Sequence, residues 1–245
     1  MHFVVKDSKN FKTYVDAITV LVDEGSFQID SQGIHLRTMD PSQIALVDFN
    51  LPKEGLKELN AEEKISLSLN LLDLGKILSR GKADDTLTVT LEEKESKLML
   101  EFKGKTKRSF KVPLLDLNTQ LPKEPKVPFD STIKVSGGEF KDMLKDAGLV
   151  SSHVVIEASP TELIVEAHGD SGDVRIETPK GDSIKINATQ KTRSMFPFEY
   201  LDNITKNCPD TTEIELSLKT DAPIRISYNL GEATLAYYLA PRVEN

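Results

Sequence analysis

Phe140-Lys141-Asp142-Met143-Leu144-Lys145-Asp146-Ala147 opens an amphipathic stretch, and Phe11-Lys12-Thr13-Tyr14-Val15-Asp16-Ala17 opens another in the same way. Phe11 and Phe140 stand 129 positions apart, and so do Ile34 and Leu163, and Leu36 and Val165. In the first half a strand-like segment around Phe27 and Ile29 leads through a turn at Gln32-Gly33 into Ile34-His35-Leu36. In the second half Val154-Val155-Ile156 leads through Pro160-Thr161-Glu162 into Leu163-Ile164-Val165. Further on, Val89 answers Leu216 at a spacing of 127. One repeat fills half the chain, far longer than solenoid repeats of about 20–50 residues. Two similar domains in tandem follow.

Within each half, period-two alternation dominates. Ile65, Leu67 and Leu69 alternate with polar residues, as do Leu87, Val89 and Leu91, and Leu98, Leu100 and Phe102. The second half has Ile184 and Ile186, then Ile214, Leu216 and Leu218, then Ile224, Ile226 and Tyr228. Such a pattern predicts sheets buried on one face. Helical period is confined to 8–22, 70–80, 138–150 and about 197–207, the third carrying a capping box in Ser136 and Glu139. Each half therefore reads as two helices among antiparallel strands, an α+β class. The expected division is 1–116, a connector at 117–129, and 130–245. Prolines 122, 125 and 128 block helix and central strand there and favour an extended connector. Leu121, Val127 and Phe129 either pin it to the surface below or offer an edge for a peptide.

The 245 residues are 38% hydrophobic and 29% charged, a globular balance with no run approaching the ~20 apolar residues of a membrane helix. Residues 1–12 lack the apolar core of a signal peptide. A single cysteine, Cys208, excludes an internal disulfide framework and makes the cytoplasm the expected compartment. Neither cofactor nor metal is expected: His2, His35, His153 and His168 are scattered, and no phosphate-binding glycine loop or paired cysteines occur. Gly169-Asp170-Ser171-Gly172 has the look of a protease nucleophile loop, but it falls in the repeat opposite Asp40-Pro41-Ser42 and reads as a turn. No enzyme is expected. The net charge of −8 argues against a nucleic-acid grip unless positive charge is segregated.

Leu36-Arg37-Thr38-Met39-Asp40-Pro41-Ser42, the duplicated helix openings, the extended connector and the ending Tyr237-Tyr238-Leu239-Ala240-Pro241-Arg242-Val243-Glu244 together resemble the archaeal and eukaryotic sliding clamps. These are clamps of the proliferating cell nuclear antigen type, and the likeness runs over essentially the whole chain. The resemblance implies a trimeric, pseudo-sixfold ring, with helices lining the hole and sheets outside. Such a ring encircles duplex DNA and tethers polymerase, clamp loader, flap endonuclease and ligase through short peptide motifs. The compartment is then cytoplasmic and nucleoid-associated, or nuclear in a eukaryote. A subunit of a heterotrimeric or checkpoint-type clamp is the alternative, and an interaction module without DNA a further one.

On the third helix Lys141 and Lys145 share a side away from Phe140, Leu144 and Ala147, with Asp142 and Asp146 on another. On the second, Lys76 and Arg80 pair away from Leu71, Leu74 and Leu78. Lys9 and Lys12 on the first, near Asp16, and Lys206 on the fourth complete the basic set. Like charges at i and i+4 cost a few tenths of a kcal/mol, so they mark either solvated faces or a wall facing phosphates. The resemblance places a partner pocket at Met39, Ile44, Leu121, Val127, Pro128, Phe129, Pro223, Tyr238, Ala240 and Pro241. It also joins subunits through 109–114, with Phe110, Val112 and Leu114, and 174–178, with Val174 and Ile176. Ion pairs between Arg80, Lys82 or Arg108 and Asp142 or Asp146 are expected across that joint, which sets Arg80 between two roles.

Overall fold

A computed structural model describes residues 1–117 and 121–242. In chain order the elements are β1 (His2–Val5), α1 (Ser8–Thr19), β2 (Glu24–Asp30), β3 (Gly33–Met39), β4 (Ala45–Pro52), β5 (Leu56–Asn60), β6 (Ile65–Asn70), α2 (Leu71–Leu78), β7 (Thr86–Glu92), β8 (Lys97–Lys103) and β9 (Lys107–Pro113). The same order then recurs in β10 (Ser131–Ser136), α3 (Gly137–Gly148), β11 (His153–Ala158), β12 (Glu162–Gly169), β13 (Gly172–Pro179), β14 (Lys185–Ala188), β15 (Thr192–Pro197), α4 (Phe198–Lys206), β16 (Glu213–Leu218), β17 (Ile224–Leu230) and β18 (Ala233–Leu239). The α+β class is that read from the periodicity.

The sheets repeat as well. The order β5-β1-β7-β8-β9 in the first half is matched by β14-β10-β16-β17-β18, and β4-β3-β2-β6 by β13-β12-β11-β15. Two compact units result. One comprises Met1–Pro41, Val47–Pro122 and Leu230–Leu235, the other Ser42–Leu46, Lys123–Asn229 and Ala236–Asn245. β18 also borders β4. The first unit contains 233–235 of the one and 47–52 of the other; the second contains 236–239 and 45–46.

Caps explain where the helices begin. The Asp7 carboxylate accepts from the N–H groups of Lys9 and Asn10, and the Asn70 side chain accepts from the Asp73 N–H. Ser136 accepts from the Glu139 N–H while its hydroxyl donates to the Glu139 carboxylate at 2.7 Å, so the N-cap half of the expected capping box forms. α2 stops at Leu78, short of the expected Arg80, because the N–H of Arg80 bonds back to Ile77 in a tighter turn. α1 buries Phe11, Tyr14, Val15 and Ile18, and α3 buries Phe140, Met143, Leu144 and Ala147. Full burial of each large apolar side chain is worth about 1.5–3 kcal/mol.

The change in repeat spacing from 129 to 127 has a definite location. β3 and β4 are joined by 40–44, whereas β12 and β13 are joined by Asp170-Ser171 alone, with Gly169 paired to Gly172. The tetrapeptide Gly169-Asp170-Ser171-Gly172 is therefore a tight hairpin. At the other hairpin, Gly33 has φ +146°, and a Cβ there would meet the Leu51 carbonyl oxygen at 2.2 Å, so only glycine fits.

Candidate peptide pocket, edge strands and basic helix faces

A small apolar cluster in the second unit joins Leu46 on β4 to Ala236 and Tyr238 on β18, with Phe129 from the connector packed against it. Period two on each strand builds its floor, since Ala236 and Tyr238 share a face. Beside them the Ala240 N–H donates to the Ile44 carbonyl at 2.8 Å. The connector is fixed at its far end: the Lys219 ammonium donates to the Pro128 carbonyl and to Asp130, each at 3.3 Å. The Phe129 N–H bonds Val127 in the same turn. At its near end the Tyr238 hydroxyl donates to the Glu124 carboxylate at 2.6 Å.

Of the expected pocket residues, Tyr238 belongs to the cluster and Phe129 packs against it, with Ile44, Ala240, Val127 and Pro128 adjoining through backbone bonds. Pro223 and Pro241 are half-buried in the same unit. Met39, 39% exposed, and Leu121, half-buried, belong to the first unit. Leu46, Ala236 and Glu124 went unrecognised in the sequence. The first two lie two residues from Ile44 and Tyr238, so strand period alone could have found them. Nothing local marks Glu124.

Two edges stand out. Among the described residues β9 pairs with β8 alone and β13 with β12 alone. Phe110 on β9 is half-buried, its ring edge-on to Phe102 at 5.9 Å, while Val112 is buried and Leu114 half-buried. Val174 and Ile176 on β13 are half-buried opposite Ala167 and Val165. The other face of these strands is charged. Lys111 reaches Glu92 at 2.6 Å and Glu95 at 3.1 Å, and Arg175 reaches Glu166 at 2.5 Å and Glu177 at 2.6 Å. The Glu166 carboxylate pays a desolvation penalty, but hydrogen bonds from Arg193 and Arg175 outweigh it and hold its pKa below the usual range.

Arg108, expected at the subunit joint, also has partners inside the chain. Arg108 is engaged within its own unit, its guanidinium paired with Asp85 and also donating to the Arg80 carbonyl at 2.8 Å. The Asp85 side chain is only 4% exposed, and a carboxylate taken so far out of water requires a nearby cation. Arg108→Ala is therefore expected to cost about 3 kcal/mol of folding stability, read as a lowered denaturant midpoint at unchanged slope. Of the other residues expected at the joint, Asp142 pairs with Lys145 at 2.9 Å, and Lys82, Arg80 and Asp146 are exposed.

The basic helix residues divide into two sorts. Lys141 is largely buried by its pair with Asp210 at 2.5 Å and its bond to the Cys208 carbonyl at 2.8 Å. Lys12 pairs with Asp16, Lys76 with Asp73 at 2.8 Å, and Lys145 with Asp142. Lys9, Arg80 and Lys206 are exposed and, among the described residues, make no ion pair. The i,i+4 repulsion inferred from sequence is thus relieved locally by acids one turn away.

Comparison with known proteins matches residues 3–121 to the model of the proliferating cell nuclear antigen N-terminal domain and residues 123–243 to that of its C-terminal domain. The chain belongs to the proliferating cell nuclear antigen family. Similar proteins include the DNA polymerase sliding clamp of Pyrococcus furiosus, 33% identical over 98% of both chains, and that of Thermofilum pendens, 31% identical over 99% of both. Among solved structures of this antigen family, the protein from Thermococcus kodakaraensis superposes with a TM-score of 0.93 at 27% identity, covering 98% of this chain and 99% of that one. The A. fulgidus antigen, solved with the C-terminal region of FEN-1 bound, superposes with a TM-score of 0.91 at 26% identity, over 100% and 99% of the two chains. The boundary between the two antigen domains falls at residue 122, inside the connector.

Proposed function

We propose that this DNA polymerase sliding clamp works as a closed ring of three copies around duplex DNA, without catalysis. The observation that carries the reading is the internal repeat of the sheets. By position β9 is the counterpart of β18, and β13 the counterpart of β4. β18 and β4 are hydrogen-bonded to each other, whereas β9 and β13 each keep one open edge among the described residues. Pairing β9 of one copy with β13 of the next repeats the join already made between β18 and β4. Such a contact is head-to-tail, and it closes when the rotation per copy divides a full turn. It also removes the hazard of two bare edges.

Lys9, Arg80 and Lys206 supply the uncommitted positive charge for phosphates, and Lys12, Lys76, Lys141 and Lys145 would exchange an acid for one. Contacts of this kind read no bases and permit sliding. With a net charge of −8 over the whole chain, retention on DNA comes from topology rather than affinity. The Leu46, Ala236, Tyr238 and Phe129 cluster receives short motifs of glutamine, an aliphatic residue and two aromatics from polymerase, clamp loader, flap endonuclease and ligase. Support comes from the FEN-1 segment bound to the A. fulgidus relative.

The test loads the protein onto nicked circular DNA and follows it through gel filtration before and after linearisation. Retention on the circle and loss from the linear product are expected; equal retention on both would replace the ring by an ordinary DNA binder.

A further inference from the structure

The floor of the peptide pocket is covered in the free chain. Leu46, Ala236 and Tyr238 are 3%, 6% and 4% exposed, although each would have to meet a partner's aromatic anchors. The connector contributes to the cover at two points. Phe129 packs on the cluster from one end, and Glu124 binds Tyr238 from the other. Between them Pro125 and Pro128 stiffen the chain, so the segment moves as a strap rather than residue by residue.

We propose that the hydrogen bond from the Tyr238 hydroxyl to the Glu124 carboxylate is a latch that holds this strap over the pocket, and that a docking peptide must open it. The inference rests on the reading of the cluster as the peptide pocket and goes beyond it, making Glu124 a positioning residue that sets how readily the pocket opens. The two ends of the strap are unequal. Lys219 reaches Pro128 and Asp130 at 3.3 Å, while the latch is shorter at 2.6 Å and joins residues 114 positions apart. Glu124 is itself solvent-exposed, so its carboxylate is rehydrated at once when the bond opens, and the latch can be reversible.

The hydroxyl remains a donor throughout the neutral range. Burial pushes its pKa up to about 12, and the Glu124 carboxylate adds to the shift while Arg225 opposes it. Among the described residues, no such latch forms at the corresponding place in the first half. There, 127 positions earlier, stands Lys111, held by Glu92 and Glu95.

A labelled synthetic peptide with the glutamine–aliphatic–aromatic–aromatic motif, titrated with the full chain in fluorescence anisotropy, tests the latch. Tyr238→Phe keeps the ring and removes only the hydroxyl; Glu124→Ala removes the acceptor. Each is expected to tighten binding about fivefold, the share one net hydrogen bond holds. The double variant should bind no tighter than either single one, because both remove the same bond. Unchanged or weaker binding by both single variants would overturn the latch. Absence of binding by the unaltered chain would instead overturn the pocket reading on which it rests.

Discussion

Phe110→Ala is expected to convert the proposed ring into single chains of 27.2 kDa at micromolar concentration, as read by light scattering. Phe110 is the largest apolar side chain on β9, and its ring stands edge-on to Phe102. It is half-buried in the single chain, so pairing with β13 of a second copy would cover much of what is left. Removing it forfeits about 2 kcal/mol at each joint. Every joint in a closed ring carries the same loss, so the effect multiplies around it. Folding of the isolated chain changes less, because Val112 on the same strand and Phe102 on β8 remain buried. A circular dichroism spectrum like that of the unaltered chain, together with the monomer mass, is the anticipated pair of results. A variant that keeps three times the chain mass would remove β9 from the joint.

Tyr238→Ala is expected to weaken peptide binding about 100-fold, in the range of a buried aromatic hot spot, while leaving the assembled mass unchanged. The ring of Tyr238 forms the pocket floor with Leu46 and Ala236, and an alanine there leaves a hollow that partner aromatics cannot fill by contact on both sides. The contrast with Tyr238→Phe makes the measurement informative. The phenylalanine keeps the floor and frees the strap, so the two substitutions at one position should move affinity in opposite directions. Equal weakening by both would assign the hydroxyl, rather than the ring, to partner binding.

Under the proposed function, the pocket and the joint are two uses of one piece of architecture. β18 beside β4 carries Ala236 and Tyr238 on the face where β9 carries Ser109 and Lys111, 127 positions earlier. On β9 that face is occupied by the ion pairs of Lys111, and on β13, in the second half, Arg175 makes its own. The apolar version is the one adjoined by Ile44, which comes from the 40–44 segment, longer than the Asp170-Ser171 turn between β12 and β13. On the proposed reading, one peptide pocket per chain rather than two follows from a three-residue difference in a turn and a handful of apolar-for-charged exchanges.

Duplication, strand period, helix caps and the proline-rich connector were legible in the sequence because each is a local property. Alternation reports one-face burial, Ser136 with Glu139 reports a cap, and the spacing of Phe11 and Phe140 reports the repeat without any knowledge of what packs where. The clamp-like ending and the basic helix residues were legible for the same reason. Which charges are committed was decided only in the tertiary structure: Arg108 to Asp85, 23 positions away, and Lys141 to Asp210. Helical periodicity could place Lys141 beside Lys145, but not bring Asp210 to it from the turn after α4. The pocket floor and its latch were equally invisible, since Leu46, Glu124 and Tyr238 come from three separate stretches of chain. Side-chain pairs of that kind depend on strand order and on the path of the connector, which a sequence pattern with a period of two or 3.6 residues does not encode.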